Sequence, residues 1–305
     1  MKTIADGVWP VMITPFTAEN EIDYDAVLRV IEWYDKAGVA GIFAVCQSSE
    51  MFMLSREERI QLAKFVIAHT PRHMGVVVSG HVSDTVEEQI REAQDMLDLG
   101  ADSYVFISGK LAAPEESDDV VRRRLEYLAE HIDGNGFGIY ECPLPYKRVL
   151  SPELMRWCAE TGKFAFVKDT CGDLDLIRAK CEAVKGTPLK IYNANSATLL
   201  ESLRMGCAGY SGVMANFHPD LYVWLCEHYK TEPEKAEQLL PFLGATSMVE
   251  WQGYPVNAKY HMQLTGVPME LVSRVRDASW MTPNRKLEIA QLYEMTQRFR
   301  NSFCK

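Results

Sequence analysis

Three times along this chain a helix-type segment ends at a glycine and an apolar strand begins a few residues later: Ala37-Gly38-Val-Ala-Gly-Ile-Phe, Leu99-Gly100-Ala-Asp-Ser-Tyr-Val and Met205-Gly206-Cys-Ala-Gly-Tyr-Ser. Glycine at such a join can take the left-handed conformation that stops a helix. The rest of the chain extends the alternation. Strands are expected at 8–14, 41–45, 76–78, 103–107, 137–140, 164–168, 189–192 and 209–213, with helices between them. These strands are apolar throughout rather than alternating, so both of their faces are covered. Eight such strand-and-helix units predict an α/β chain folded as a closed (β/α)8 TIM barrel. A doubly wound open sheet is the alternative, weakened by the lack of a GxGxxG or Walker-type loop after the first strand.

Local signals place the helices. Asp23 is positioned to cap a helix carrying Val27, Val30, Ile31 and Tyr34 at helical spacing, and Ser55 with Glu58 forms a capping-box signature. After residue 218 the strand pattern disappears and the segments 219–230, 233–246, 252–264 and 283–302 read as helical. Residues 1–218 are therefore expected to form the barrel core. Residues 219–305 supply a barrel-closing helix and a C-terminal helical domain, with no Pro/Gly/Ser-rich linker between the two.

A formal net charge of −10 argues against nucleic-acid or anionic-membrane partners, which would be repelled at long range. The eight cysteines show no CxxC pairing and read as reduced small hydrophobes. No run of 18 apolar residues and no leader pattern is present, which predicts a cytoplasmic protein. The seven histidines lack HxH or HExxH spacing, so a metal-dependent hydrolase is disfavoured and no metal or cofactor is expected.

The chemistry concentrates at strand ends, where a (β/α)8 barrel carries its active site. The run Phe164-Ala-Phe-Val-Lys168 delivers one lysine from a buried strand, and the neighbouring strand ends at Tyr140. A partly desolvated amine loses affinity for its proton and becomes a better nucleophile toward a carbonyl carbon. Lys168 could thus condense with a 2-oxo acid while Tyr140 moves protons among carbinolamine, imine and the carbon-carbon bond being made or broken. Ser48 and Ser49 are placed to bind the carboxylate, and Asn193 and Ser211 also stand at strand ends facing the same cavity.

Thr14-Pro15-Phe16, Ile22-Asp23-Tyr24, the Ser48–Glu50 loop with Leu54 and Glu57-Glu58-Arg59, Tyr140-x-x-Pro143, Phe166-Val167-Lys168-Asp169 and Gly212-Val-Met-Ala-Asn216 occur together in one order and spacing. That combination, over roughly residues 5–300, resembles the dihydrodipicolinate synthase/N-acetylneuraminate lyase family. The resemblance implies a barrel with a C-terminal helical domain, usually a homotetramer, catalysing Schiff-base lyase, aldol or dehydratase reactions of pyruvate without metal. It also implies that Lys168 is the imine-forming lysine and Tyr140 the catalytic tyrosine.

Three departures separate this chain from the family pattern. The loop usually written Gly-Thr-Thr-Gly-Glu reads Cys46-Gln47-Ser48-Ser49-Glu50, so Gln47 and Ser48 take the two carboxylate-loop positions. Leu111 occupies the place of a second, relay tyrosine, and an aliphatic side chain cannot move a proton. Pro145 stands where the synthase carries an arginine for its second substrate, with Lys147 and Arg148 two and three residues on. These features favour an aldolase, lyase or dehydratase acting on pyruvate or a 2-oxo acid over the lysine-pathway synthase. Leu111, Met51, Phe52 and Met53 either line an apolar pocket wall or serve packing. A barrel that binds a 2-oxo acid without turnover is the alternative, and a tetramer or dimer is the expected assembly.

Overall fold

The computed structural model describes residues 3–134 and 136–303. Its strands are β1 (Gly7–Val8), β2 (Gly41–Ala44), β3 (Gly75–Val78), β4 (Ser103–Ile107), β5 (Phe137–Tyr140), β6 (Phe164–Asp169), β7 (Lys190–Asn193) and β8 (Gly209–Tyr210). All seven ladders between them are parallel, in the order β1-β8-β7-β6-β5-β4-β3-β2. The ring closes through bonds between the first strand and its neighbour: Ala40 N donates to Val8 O (2.9 Å), Phe43 N to Pro10 O (2.9 Å) and Met12 N to Phe43 O (3.0 Å). The fold is a TIM barrel.

Two expected strands are shorter than their apolar runs. Pro10 has no N–H to continue the first ladder, which survives beyond it only as a bridge from Val11 to Phe43. The eighth strand stops at Tyr210 because the chain turns into a 3-10 segment, Val213–Asn216. Gly212 permits this turn, since a Cβ there would lie 2.3 Å from the Tyr210 ring and 2.5 Å from Ala194 O.

The barrel helices are α1 (Tyr24–Lys36), α2 (Arg56–His69), α3 (Val86–Asp98), α4 (Asp118–His131), α5 (Pro152–Thr161), α6 (Leu174–Val184), α7 (Leu199–Met205) and α8 (Pro219–His228). Their starts follow the sequence signals. Asp23 caps α1 by accepting from Ala26 N at 2.9 Å, and both arms of the Ser55–Glu58 capping box close, at 2.8 and 3.1 Å. Gly38, Gly100 and Gly206 all have positive φ, at 80°, 95° and 111°. Helix α8 packs on β1 and β8. Beyond it lie α9 (Pro233–Thr246), α10 (Val256–Leu264) and α11 (Pro283–Phe303). The helix expected from residue 252 begins only at Val256, because Gly253 (φ 83°) and Pro255 interrupt the preceding segment. Among the described residues no helix is long and apolar enough to cross a membrane.

Aromatic side chains fill the barrel. Trp9 meets Phe166 and Tyr192 edge-on at 5.7 and 6.0 Å, Phe43 meets Phe166 at 5.8 Å, and Phe166 stacks on Tyr192 at 4.6 Å. Side chains two apart on a strand share a face. Phe166 therefore lies directly below Lys168, and this dry aromatic layer is the floor on which the lysine stands.

Candidate active site

The ladder register pairs Tyr140 with Lys168. Both side chains are buried, and Lys168 Nζ lies 4.3 Å from the centroid of the Tyr140 ring. Phe43 packs edge-on against that ring from the floor, at 5.8 Å. Burial holds the Lys168 ammonium below the ordinary lysine value, with the neighbouring Cys46, Cys142 and Glu250 side chains opposing the shift. Burial also pushes the Tyr140 phenol well above its usual range. At neutral pH the tyrosine is thus a protonated donor facing an amine that gives up its proton more readily than most.

The loop after β2 folds as two 3-10 turns, Gln47–Ser49 and Met51–Met53. Val45 (φ 48°) and Glu50 (φ 62°) flank the first turn in a region that L side chains rarely adopt, least of all a β-branched valine. Gln47 points inward: Tyr140 Oη donates to Gln47 Oε1 at 3.2 Å, and Cys142 Sγ donates to the same oxygen at 3.3 Å. Ser49 turns the other way, its Oγ donating to Met12 O (2.6 Å) and accepting from Cys46 N (3.1 Å). Ser48 is buried between them.

The remaining sequence candidates divide. Ser211 Oγ, just beyond β8, is buried with no protein hydrogen-bond partner among the described residues. Leu111 is buried just after β4. Asn193 is different: its Nδ2 donates to Thr198 Oγ1 and Ser202 Oγ (2.9 and 3.0 Å) and its Oδ1 accepts from Asn195 N (2.8 Å). That amide ties β7 to α7 and keeps no free edge. Arg148 is also committed, donating to Ala113 O (3.1 Å), Glu116 O (2.6 Å) and Asp118 (3.2 Å), while Lys147 donates to Thr170 O. Met51 is buried, whereas Met53 is half exposed.

Sequence reading passed over a residue that sits behind both strand ends. Lys180 Nζ on α6 lies 2.5 Å from Glu141 and 2.5 Å from Asp169, and all three side chains are fully buried. Glu141 follows Tyr140 and Asp169 follows Lys168, so one ammonium clamps the two strands just beyond the reacting pair. Glu141 also accepts from Leu150 N (2.9 Å) and Thr170 N (2.8 Å). The signal was present: Lys180 interrupts the apolar stripe Ile177, Cys181, Val184 of its helix, where a lysine needs a buried partner.

A model of the dihydrodipicolinate synthetase family matches residues 5–280. This chain belongs to that family. Membership makes it a lyase that acts on pyruvate or another 2-oxo acid through an imine. A 4-hydroxy-tetrahydrodipicolinate synthase of Methanothrix thermoacetophila is 24% identical over 264 residues, covering 84% of this chain and 86% of that protein. YagE of Escherichia coli K12, which carries the provisional name 2-dehydro-3-deoxy-D-gluconate aldolase, is 27% identical over 230 residues, covering 73% and 74% of the two chains. The crystal structure of YagE in complex with pyruvate superposes with a TM-score of 0.85 at 24% identity, covering 96% of this chain and 98% of the other. At that identity the structural likeness speaks to the fold alone. The family fold accounts for the barrel and the helices that follow it.

Proposed function

We propose that Lys168 forms the imine with pyruvate or a close 2-oxo acid, that Tyr140 exchanges protons with the bound intermediate, and that the remainder of the substrate is uncharged. The observation that carries this reading is the buried Lys168 amine held 4.3 Å from the centre of the Tyr140 ring over an aromatic floor. Attack by the neutral amine on the keto carbon gives a carbinolamine. Loss of its hydroxyl as water needs a proton donor, and the high phenol pKa makes Tyr140 one. Ser48, Ser211 and the Gln47 amide are the polar groups offered to the substrate.

The rest of the pocket favours an aldolase, lyase or dehydratase of keto-deoxy sugar acids over the synthase proper. Arg148 and Lys147 are tied to backbone carbonyls, so neither is free to receive a second carboxylate. Instead a carboxyl, Glu250 on the 3-10 turn Ser247–Trp251, couples electrostatically to Lys168; burial raises its pKa, and Lys168 offsets only part of that rise. A neutral, hydroxylated aldehyde suits that neighbour and a dicarboxylic one does not. We further read the protein as a cytoplasmic homo-oligomer, tetramer or dimer. We keep the division into a barrel core of residues 1–218 and a region 219–305 that begins with the barrel-closing helix α8, which packs on β1 and β8.

The test is borohydride reduction in the presence of pyruvate, followed by intact-mass measurement and peptide mapping. A reduced pyruvate adduct on Lys168, absent from Lys168→Ala, is the expected result. An unmodified chain with every 2-oxo acid of a panel would replace the enzyme by a binding protein.

A further inference from the structure

A carboxylate presents two oxygens with about four lone-pair sites, and it is held best by donors fixed before it arrives. The loop after β2 supplies fewer donors than its two serines suggest. Ser49 gives its hydroxyl proton to Met12 O, and Gln47, its oxygen accepting from Tyr140 and Cys142, offers an amide N–H rather than a hydroxyl. Ser48 is the hydroxyl that remains, and Tyr254, from the chain segment between α9 and α10, is a polar neighbour close enough for Ser48 to act on its phenol, favouring the ionised form against burial.

Tyr254 is held by an oriented amide. Asn216 Nδ2 donates to Tyr254 Oη at 3.1 Å and to Val11 O at 2.9 Å, while Asn216 Oδ1 accepts from the buried Tyr34 hydroxyl at 2.5 Å. The carbonyls of Val11 and Val213 (3.1 Å) only accept, so they fix Nδ2 on this side of the amide, and because an amide nitrogen does not accept, the Tyr254 hydroxyl cannot donate to Asn216. Its own proton is therefore directed away from Asn216 and is available to another acceptor.

We propose that Tyr254 is a substrate-binding residue: its phenol and the Ser48 hydroxyl together donate to the carboxylate of the 2-oxo acid. This rests on the reading of Lys168 as the imine-forming residue. A carboxylate would give each of these hydroxyls a charge-assisted hydrogen bond, about twice as strong as a neutral one. The second hydroxyl that the loop lacks at Gln47 thus comes from the C-terminal part of the chain. Burial keeps the Tyr254 phenol well above its ordinary pKa, so it stays a donor throughout the working range.

Tyr254→Phe removes one oxygen and keeps the ring. The full-length variant should require about tenfold more pyruvate for half-maximal borohydride trapping, the scale of one lost hydrogen bond to a charged group. Complete trapping on Lys168 should still be reached at saturation. Pyruvamide, which keeps the ketone but not the charge, should be trapped equally well by both proteins. Ser48→Ala should show the same selectivity, and it decides the matter if Tyr254→Phe does not fold. An equal loss for pyruvate and pyruvamide, or no loss for either, overturns the proposal. If wild-type protein is not trapped at all, the imine reading fails. Equilibrium dialysis with labelled pyruvate then still tests Tyr254: weaker binding by the variant supports the proposal, and unchanged or undetectable binding overturns it.

Discussion

Tyr140 donates its hydroxyl proton to the side-chain oxygen of Gln47, 3.2 Å away. An amide oxygen accepts a hydrogen bond but does not hand a proton on, so this contact orients the phenol and ends the relay there. With Leu111, buried just after β4, in the place of a relay tyrosine, Tyr140 must exchange its proton with the substrate itself or with water. Gln47→Leu should therefore lower kcat about tenfold by freeing the phenol to rotate, while pyruvate trapping on Lys168 persists. Equal turnover in wild type and variant, measured at saturating substrate, would count against an orienting role. Tyr140→Phe removes the proton carrier altogether and should cost about a hundredfold or more.

The depressed pKa of Lys168 has a defined sign in a pH profile. Only the neutral amine attacks the keto carbon, so the rate of imine formation rises with pH and levels off once the amine has lost its proton. A lowered pKa moves that rising limb to the acid side of the value near 10.4 of an ordinary lysine. Stopped-flow trapping of pyruvate between pH 6 and 10 measures it. A limb centred at the ordinary lysine value would show that burial does not tune this residue.

Removing Lys180 leaves Glu141 and Asp169 buried without their cation. Lys180→Met should destabilise the fold by about 3–5 kcal/mol, the cost of stranding a buried charge, and should reduce kcat by loosening the ends of β5 and β6. The triple change Lys180→Met, Glu141→Gln, Asp169→Asn should recover a large part of the stability, because no charge is then left unpaired. Urea unfolding of the two variants provides the comparison, and a triple variant no more stable than the single one would contradict it.

Acid should weaken the fold through three histidines. Burial lowers His81 and His261 to about 3 and His218 well below its ordinary value. His81 Nδ1 accepts from Ile107 N at 2.9 Å, which requires that nitrogen to be unprotonated. The unfolded chain binds protons at these sites near pH 6.5 and the folded chain does not, so stability falls as pH drops through 6.5 and continues to fall toward 3. Between pH 7 and pH 5 each histidine should remove about 2 kcal/mol. Replacing His261 by Gln should flatten that slope in denaturant titrations run at the two pH values.

The barrel was legible because its signals are local and periodic: apolar runs, capping residues and helix-ending glycines each act within a few positions. Lys168 and Tyr140 were legible for a related reason, since parallel strands of a barrel bring their ends to one rim. Asn193 shows the limit. It stands at a strand end as expected, yet the neighbouring Thr198 and Ser202 hydroxyls engage its amide. Lys180 and Tyr254 were missed because each acts through partners far away in the chain, and no short-range pattern encodes such a meeting. The lengths of the first and last strands depended on Pro10 and Gly212, single residues whose effect on hydrogen bonding and clearance outweighs the apolar character around them.

Glu50 sits in the loop that holds Gln47 and Ser48, and its carboxylate accepts from Ser273 Oγ (3.1 Å), Arg274 N (2.6 Å) and Val275 N (3.1 Å), with Lys259 Nζ at 3.3 Å. Arg274 in turn binds Glu58 and Met53 O on the far side of that loop. The Glu50–Arg274 bond spans 224 positions of sequence. On a ribosome, the strained turn between Val45 and Glu50 is thus without its fastening until Arg274 has been made, long after Lys168. A nascent barrel therefore holds its lysine before it holds the shape of the loop beside it.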